Sequence, residues 1–193
     1  MEDEFIVREK KILSILEQEI SDGEEMTAAV RHIAERVLLN EKGYAQADVR
    51  KDVHFPVTLG SETVESFVDF LVTVDNRHAM VIKCAPGSLS SRERHVVAAA
   101  RVLNSLPVPV AIVMDPMSAV VLDTMTGKVI GEGVEAIPSK KQLSDMLAGK
   151  ELQPIALEKL EREKRVLLAF DAIRCCIPQG ADGGVQLDET GDM

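Results

Sequence analysis

The sequence predicts an α/β sandwich, in which a mixed central sheet lies between layers of helices. The spacing of apolar residues is helical over residues 1–41 and alternating over much of residues 54–84, as expected when helices give way to strands. A helical segment, residues 90–106, then separates the third predicted strand from the fourth, residues 109–114. A crossover of this kind usually joins parallel strands, so part of the sheet should be parallel.

The length and composition indicate one globular domain with appendages. Of the 193 residues, 46% are hydrophobic and 28% are charged, so the chain can bury a core without disulfides or metals. We expect an N-terminal helix, a core domain, a C-terminal helix and a disordered tail rich in Gly and Asp. Their expected bounds are residues 1–22, 23–150, 151–177 and 178–193.

Two helices are predicted before the first strand. The first covers residues 1–20, with apolar residues close to one face and charged residues elsewhere. The second runs from Glu24 to Glu41, and Gly43 is its expected C-terminal stop. The apolar stripe of the second helix consists of Val30, Ile33, Ala34, Val37 and Leu38. A stripe of this width is typical of a helix that buries one face.

Three strands are predicted next. Residues 54–57 form a short edge strand, because Pro56 cannot donate a ladder hydrogen bond. Residues 64–74 form a long strand, which the turn residues 75–77 (DNR) connect in a hairpin to the apolar strand 79–84. Alternation along the long strand should place Val68, Phe70 and Val72 on one face and Phe67, Asp69 and Leu71 on the other.

The C-terminal half continues the alternation of helices and strands. We expect Ser90 or Ser91 to cap the helix that follows the third strand. The remaining expected elements are the strand 109–114, the hairpin strands 119–123 and 128–130, a short helix capped by Ser139 that ends near Gly149, and a charged helix opened by Pro154 that ends near Cys175.

Charge and residue usage argue against several classes of function. The net charge of −10 disfavours strong nonspecific binding to polyphosphates, and the 3% of aromatic residues disfavours a base-stacking platform. The three cysteines (Cys84, Cys175 and Cys176) form no CxxC pair, the four histidines lack zinc-ligand spacing, and Cys175-Cys176 is expected to close a helix. No phosphate-binding loop of an ATP-driven motor is present.

The sequence also predicts where the chain resides. Its charged start (MEDEFIVREKK) is unlike a secretory signal, and no apolar run reaches the roughly 20 residues needed to cross a bilayer. We therefore expect a soluble cytoplasmic protein with no membrane partner.

Two charged residues interrupt otherwise apolar strands and are the leading candidates for chemistry. Asp69 lies within SFVDFLV, and Lys83 lies within MVIKCAP. Burial of an unpaired charge is costly, so charges on central strands are rare. On successive hairpin strands the two could face one another, with the carboxylate holding Mg²⁺ and the lysine positioning an attacking water. They could instead form a structural Asp–Lys pair, or lie at strand ends that reach solvent.

Other polar residues have simpler interpretations. His54, His78 and His95 are predicted to be surface or turn residues rather than metal ligands. Asp115-Pro116 is predicted to be a turn at the end of a strand.

A series of short motifs in fixed order points to a known family. The motifs are Gly43-Tyr44, Val68-Asp69-Phe70, residues 81–86 (VIKCAP), residues 91–94 (SRER), Leu122-Asp123 and residues 126–128 (TGK). Over residues 24–139 the chain resembles the PD-(D/E)XK nuclease superfamily, and more narrowly the N-terminal domain of the restriction (R) subunit of type I restriction enzymes. The resemblance implies a restriction-endonuclease-like three-layer sandwich, here with extra N- and C-terminal helices.

The resemblance also implies roles for individual residues. Asp69 matches the metal-binding aspartate of the family and Lys83 its catalytic lysine, which implies Mg²⁺-dependent hydrolysis of DNA. The family normally has an acidic residue two positions before that lysine, where this chain has Val81. Loss of one carboxylate should weaken Mg²⁺ binding. In an alternative alignment Lys83 takes the acidic position, and the catalytic lysine is missing.

Several residues could replace the missing acid. Glu35 on the second helix is the expected metal ligand beside Asp69, since that helix contributes an acid in many relatives. The alternatives are Glu41 on the same helix, Glu65 at i−4 from Asp69, and Glu93 or Arg94 on the helix after the third strand.

Two functions follow from these observations. The first is a stand-alone Mg²⁺-dependent DNA endonuclease with a degenerate active site, for which DNA is the expected partner. The second is a catalytically inactive nuclease-like fold that acts as a nucleic-acid-binding or protein-interaction module. The terminal helices, residues 1–20 and 155–176, could form a homodimer or bind a protein partner. A structural or regulatory dimer built by these helices is a further alternative.

Overall fold

The computed structural model describes residues 25–85 and 89–175, with side chains described as far as Asp171. The predicted N-terminal helix (residues 1–20) and the predicted tail (residues 178–193) lie outside the described residues.

The described residues form four α-helices and six β-strands. Helix α1 covers residues 25–36 and continues as a π-helical turn, Val37–Glu41. The strands are β1 (Val49–Leu59), β2 (Glu62–Val74), β3 (Arg77–Cys84), β4 (Val110–Met114), β5 (Ala119–Asp123) and β6 (Val129–Glu132). The other helices are α2 (Ser90–Val102), α3 (Lys140–Leu147) and α4 (Leu157–Cys175).

The six strands form one sheet in which each strand neighbours the next along the chain. Strands β1, β2 and β3 are antiparallel, β4 is parallel to β3, and β5 and β6 continue in antiparallel pairs. Helix α2 makes the crossover between the two parallel strands. The prediction of a mixed sheet with one crossover is therefore confirmed, and β1 lies at an edge of the sheet, as its proline predicts.

Helices cover both faces of the sheet and enclose two apolar cores. The core under α1 and α3 includes Val30, Leu38 and Leu143 from these helices. The core under α2 and α4 includes Leu167 of α4 and the alanines of residues 98–100 in α2. These alanines are buried and allow a close approach of helix to sheet. The result is the predicted three-layer, restriction-endonuclease-like sandwich.

Strands β1 and β2 exchange faces near their middle. Val49 and its partner Val72 belong to the core under α1, whereas Val53 and its partner Val68 belong to the core under α2 and α4. Regular alternation would put Val49 and Val53 on one face. Between them Asp52 has a φ of 51°, a left-handed conformation that shifts the alternation. The predicted sharing of one face by Val68 and Val72 is therefore wrong.

Helix α4 packs on α2, β1 and β2 and buries two carboxylates. Glu163 lies 2.5 Å from Arg94 Nη1 and 2.7 Å from Arg101 Nη1, both on α2. Asp171 lies 3.2 Å from Nε2 of His95, also on α2. Charged pairs therefore join α4 to α2 alongside the apolar contacts of the core.

The surface position predicted for His95 is wrong. Its side chain is buried, stacks on Phe170 with the ring centroids 4.9 Å apart, and contacts Asp171. The reason is tertiary, because His95 lies on the side of α2 that α4 covers. A sequence window around α2 does not reveal that a second helix packs there.

Several helix ends and turns lie where the sequence predicts them. Gly43 has a φ of 75° just after the π-helical turn, and Asp75 and Asn76 have positive φ in the β2–β3 hairpin. Ser139 caps α3, because its hydroxyl accepts the N–H of Gln142 at 3.3 Å. Asp115 closes the turn after β4 by accepting the N–H groups of residues 117 and 118, each at 2.7 Å.

Other boundaries differ from the prediction. Strand β1 is longer than residues 54–57, because a proline at a sheet edge can direct its missing donor away from the ladder. Helix α2 has no serine cap, since Leu89 is the N-cap residue with helical φ and ψ and the serines lie in the first turn. This helix ends at Val102 rather than near residue 106. Helix α4 begins at Leu157, so Pro154 is not in its first turn.

Within the described ranges, every helix is too short or too polar to cross a membrane.

Candidate functional site at the fork between β2 and β3

Strands β2 and β3 separate at the position of Asp69 and Lys83. The last paired residues are Phe70 and Ile82, although β2 extends eight residues further toward its start and β3 extends to Cys84. Beyond this point β2 pairs only with β1, and β3 pairs only with β4. We call this point the β2–β3 fork.

Asp69 lies in the fork with its side chain 1% exposed. Its Oδ2 accepts a hydrogen bond from the backbone N–H of Cys84 at 2.8 Å. Its Oδ1 lies 3.2 Å from Nε of Arg31 on α1 but has no hydrogen bond, so this contact is ionic only. The carboxylate is therefore held by one backbone donor and one guanidinium.

Lys83 lies in the same fork with its side chain 3% exposed. Its ammonium donates a hydrogen bond to the backbone carbonyl of Phe67 at 2.8 Å. The same nitrogen lies 3.0 Å from the centroid of the Phe67 ring, a cation–π contact. One residue of β2 thus contacts the ammonium through both its backbone and its ring.

The fork explains why two charges are tolerated in apolar strands. Where strands separate, backbone N–H and C=O groups lose their ladder partners, and buried groups of this kind need replacements. The Asp69 carboxylate accepts a hydrogen bond from the N–H of Cys84, and the Lys83 ammonium donates one to the C=O of Phe67. Both side chains bridge β2 and β3 where the ladder has ended.

The position expected to be acidic carries no polar group. Val81 is fully buried in the core under α2 and α4, paired with Leu71 of β2. A carboxylate in this place would lie among aliphatic side chains. The apolar residue at position 81 is therefore part of the packing of the core.

The residues that could replace the missing acid have other contacts or exposed positions. Glu35 pairs with Lys51 of β1 at 2.6 Å. Glu65 is largely exposed and lies 3.6 Å from Nδ1 of His54. Glu41 is exposed in the π-helical turn, and Glu93 lines a surface cavity beside α2.

The side chains around Asp69 do not match a Mg²⁺ site. Mg²⁺ takes oxygen ligands in an octahedron. Here Oδ1 of Asp69 faces a guanidinium, whose charge would repel a second cation. In the part of the chain that the structure describes, no three His, Cys, Asp or Glu residues are grouped to hold a metal ion. We therefore assign no catalytic step to a metal, and the roles of Asp69, Lys83 and Glu35 in catalysis stay predictions.

Cys84 also lies at the fork, and its thiol is expected to be unreactive. Burial, together with the nearby Asp69 carboxylate, raises the pKa of its thiol well above the usual range, although Arg31 and Lys83 oppose the shift. The thiol is therefore protonated at neutral pH. A protonated, buried thiol is a poor nucleophile.

A second polar cluster lies between α2 and α4. Burial raises the pKa of Asp171, but the hydrogen bond and charge of His95 outweigh this and lower it overall, with smaller contributions from Ser66 and Lys83. The Ser66 hydroxyl lies near this carboxylate without completing a hydrogen bond. The charge of Lys83 therefore acts on α4 as well as on the fork.

Sequence reasoning missed two residues of the site, Arg31 and Asp52. Arg31 forms ion pairs with Asp69 and with Asp52 of β1. Arg31 resembles any exposed residue of an amphipathic helix, so the sequence carries no signal for it. The polar run of residues 50–52 (RKD) before the predicted edge strand was a weak signal for Asp52.

Comparison with known proteins places the chain in a family. The family model described as type I restriction enzyme R protein N terminus (HSDR_N) matches residues 24–138, which is more than half of the chain. No curated protein and no solved structure matches the chain. The match covers α1 through β6, and α3 and α4 lie beyond it. The chain therefore belongs to the family of type I restriction enzyme R protein N-terminal domains.

Proposed function

We propose that this chain is a nuclease-like domain without catalytic activity that acts as a protein-interaction module. The observation that carries the proposal is the state of Asp69 and Lys83. Both are almost fully buried, and both are bound to backbone groups at the β2–β3 fork. A DNA phosphate has no access to either side chain in this arrangement, and Val81 leaves no second carboxylate on β3.

Surface properties favour a protein partner over DNA. The net charge of −10 repels a polyphosphate, and repulsion of this kind weakens nonspecific binding. Exposed apolar side chains gather on the β5–β6 hairpin, namely Met125, Val129 and Ile130. Strand β6 lies at the edge of the sheet, where unpaired backbone groups can accept an additional strand. Exposed apolar residues on a free edge are typical of a surface that binds another chain.

The absence of catalysis is tested by incubating purified protein with supercoiled plasmid in Mg²⁺ and in Mn²⁺. We expect no cleavage by the wild type, the same result as with Lys83→Ala. Metal-dependent cleavage that disappears in Lys83→Ala would overturn the proposal. The control for folding is an unchanged circular dichroism spectrum of the variant.

The choice of partner is tested separately. Fluorescence anisotropy with a labelled DNA duplex should show only weak binding that disappears at physiological salt. Proximity labelling in the native host should recover a protein that is lost when Ile130 is replaced by Asp. Tight, salt-resistant DNA binding, or the same labelled proteins with Ile130→Asp, would argue against a protein partner at this edge.

A Mg²⁺-dependent endonuclease is the second candidate function. It is favoured by the position of Asp69 and Lys83 at one fork, where both act electrostatically on Cys84. Catalysis would require that Arg31 leave Asp69 and that the fork open to solvent. Plasmid cleavage by the wild type that is lost in Asp69→Ala would support this function.

A further inference from the structure

Arg31 joins two carboxylates that belong to different strands. Its guanidinium forms an ion pair with Oδ1 of Asp52 on β1, and its Nε lies 3.2 Å from Oδ1 of Asp69 on β2. Its side chain is 31% exposed, so the ion pair lies at the boundary between the protein interior and solvent. The guanidinium thus lies between one exposed carboxylate and one buried carboxylate.

Asp52 is held in an unusual conformation at this position. It lies in β1 opposite Asp69, because the residues on either side pair as Lys51 with Phe70 and Val53 with Val68. Its φ of 51° is uncommon for a residue other than glycine and carries a cost of about 1 kcal/mol. The conformation is retained where the Asp52 side chain contacts Arg31.

Further charged side chains lie near the two ion pairs of Arg31. Glu35, one turn further along α1, pairs with Lys51, which neighbours Asp52 in β1. Asp52 and Asp69 thus share Arg31, Glu35 has Lys51, and the Lys83 ammonium lies in the same fork as Asp69. Oδ1 of Asp69 is buried and has no hydrogen-bond donor even with Arg31 present. This oxygen is the atom that most requires a nearby positive charge.

We propose that Asp52 and Asp69 form a two-carboxylate cation site that the chain fills with its own Arg31, and that a divalent cation enters only when Arg31 is removed. The second carboxylate comes from the edge strand β1, rather than from the position of Val81 on β3. With Arg31 in place, the charge of Asp69 is neutralised without a bound metal. The proposal extends the proposed function, because it explains how a nuclease-like fold keeps its buried aspartate without a metal.

Two carboxylates and several waters form a common environment for Mg²⁺ and related ions. Removal of the guanidinium leaves Asp69 with a buried, unpaired oxygen beside Asp52. Burial of an unpaired charge is unfavourable, so the carboxylate will either take up a proton or attract a cation. Mn²⁺ is the better probe, because paramagnetic resonance also detects its binding.

The experiment is a calorimetric titration of Mn²⁺ into wild type, Arg31→Ala, Arg31→Lys and the double variant Arg31→Ala/Asp52→Asn. We expect Arg31→Ala to bind Mn²⁺ at least about tenfold more tightly than wild type, since affinity follows the net charge of the ligands. Arg31→Lys should resemble wild type, because it keeps a positive charge. The double variant should lose the gained binding, because one of the two carboxylates becomes neutral.

Thermal unfolding provides a second readout. Arg31→Ala should melt below wild type in metal-free buffer, and Mn²⁺ should raise its melting temperature more than that of wild type. If Arg31→Ala does not fold alone, folding on addition of Mn²⁺ supports the proposal, and failure to fold with Mn²⁺ counts against it. Arg31→Gln, which keeps much of the side-chain length, should behave as Arg31→Ala does.

Several outcomes would overturn the inference. These are equal Mn²⁺ affinity in wild type and folded Arg31→Ala, and binding by Arg31→Ala that persists in the double variant. Metal-dependent cleavage by the wild type is a different result. It would overturn the proposed function, while the titrations would still decide whether Arg31 fills the Asp52–Asp69 site.

Discussion

Replacement of Glu163 by Gln should destabilise the protein more than any single exposed ion-pair variant. Glu163 is 1% exposed and forms ion pairs with Arg94 and Arg101 of α2. Gln keeps the shape but removes the charge, so the buried Arg101 guanidinium loses its counter-charge. Removing one partner of a buried pair costs about 3–5 kcal/mol. We expect about 3 kcal/mol, because Arg101 keeps its bonds to the carbonyls of Thr124 and Met125.

The matched control is Arg94→Ala. The Arg94 side chain is 48% exposed, and Glu163 keeps its bond to Arg101, so the loss should be about 0–1 kcal/mol. Urea unfolding followed by circular dichroism measures both free energies. For a domain of this size, about 3 kcal/mol corresponds to a fall in melting temperature of roughly 6–12 °C. Equal losses for Glu163→Gln and Arg94→Ala would refute the reasoning, because burial would then not determine the cost.

Two other variants and one labelling experiment test separate parts of the structure. The lowered pKa of Asp171 means that its charge stabilises the fold above the unfolded-state pKa of about 4, and that this contribution is lost as the pH falls through the folded-state value. In Asp171→Asn, the free energy of unfolding should therefore fall less steeply as the pH is lowered below about 4 than it does in the wild type. An equally steep fall in both proteins would contradict this. Gly43→Ala should cost about 1 kcal/mol in urea unfolding, because φ is 75° although the space around it is open. Equal stability would show that the backbone relaxes. Cys84 should resist thiol alkylation in native buffer and react in urea, as followed by mass spectrometry, and rapid native labelling would show that the fork opens.

The family match ends at residue 138, but residues beyond it still pack on the matched part of the fold. Helix α4 covers the β1 and β2 part of one sheet face, where Leu167 joins Val53 and Val68 in the core. Without this helix, part of that apolar face would be exposed to solvent. The two carboxylates that α4 buries then secure it to α2.

Local patterns in the sequence were sufficient for most of the architecture. The change from helical to alternating spacing, the crossover helix and the continuous apolar run of β4 predict the mixed sheet, because backbone geometry fixes these periods. The buried charges at Asp69 and Lys83 were also visible, since each interrupts an apolar strand. Gly43 and Ser139 mark helix ends, because Gly43 adopts the positive φ that ends one helix and the Ser139 hydroxyl caps the start of another.

Only the tertiary structure decided what those charges contact. The sequence left open whether Asp69 and Lys83 hold a metal, pair with each other or reach solvent. The structure binds each to a backbone group at the fork and brings Arg31 from α1 to the carboxylate. Such contacts join residues 15 to 38 positions apart along the chain, and no local pattern encodes them. The exchange of faces near Asp52 likewise accompanies a left-handed residue of β1, which periodicity alone does not reveal.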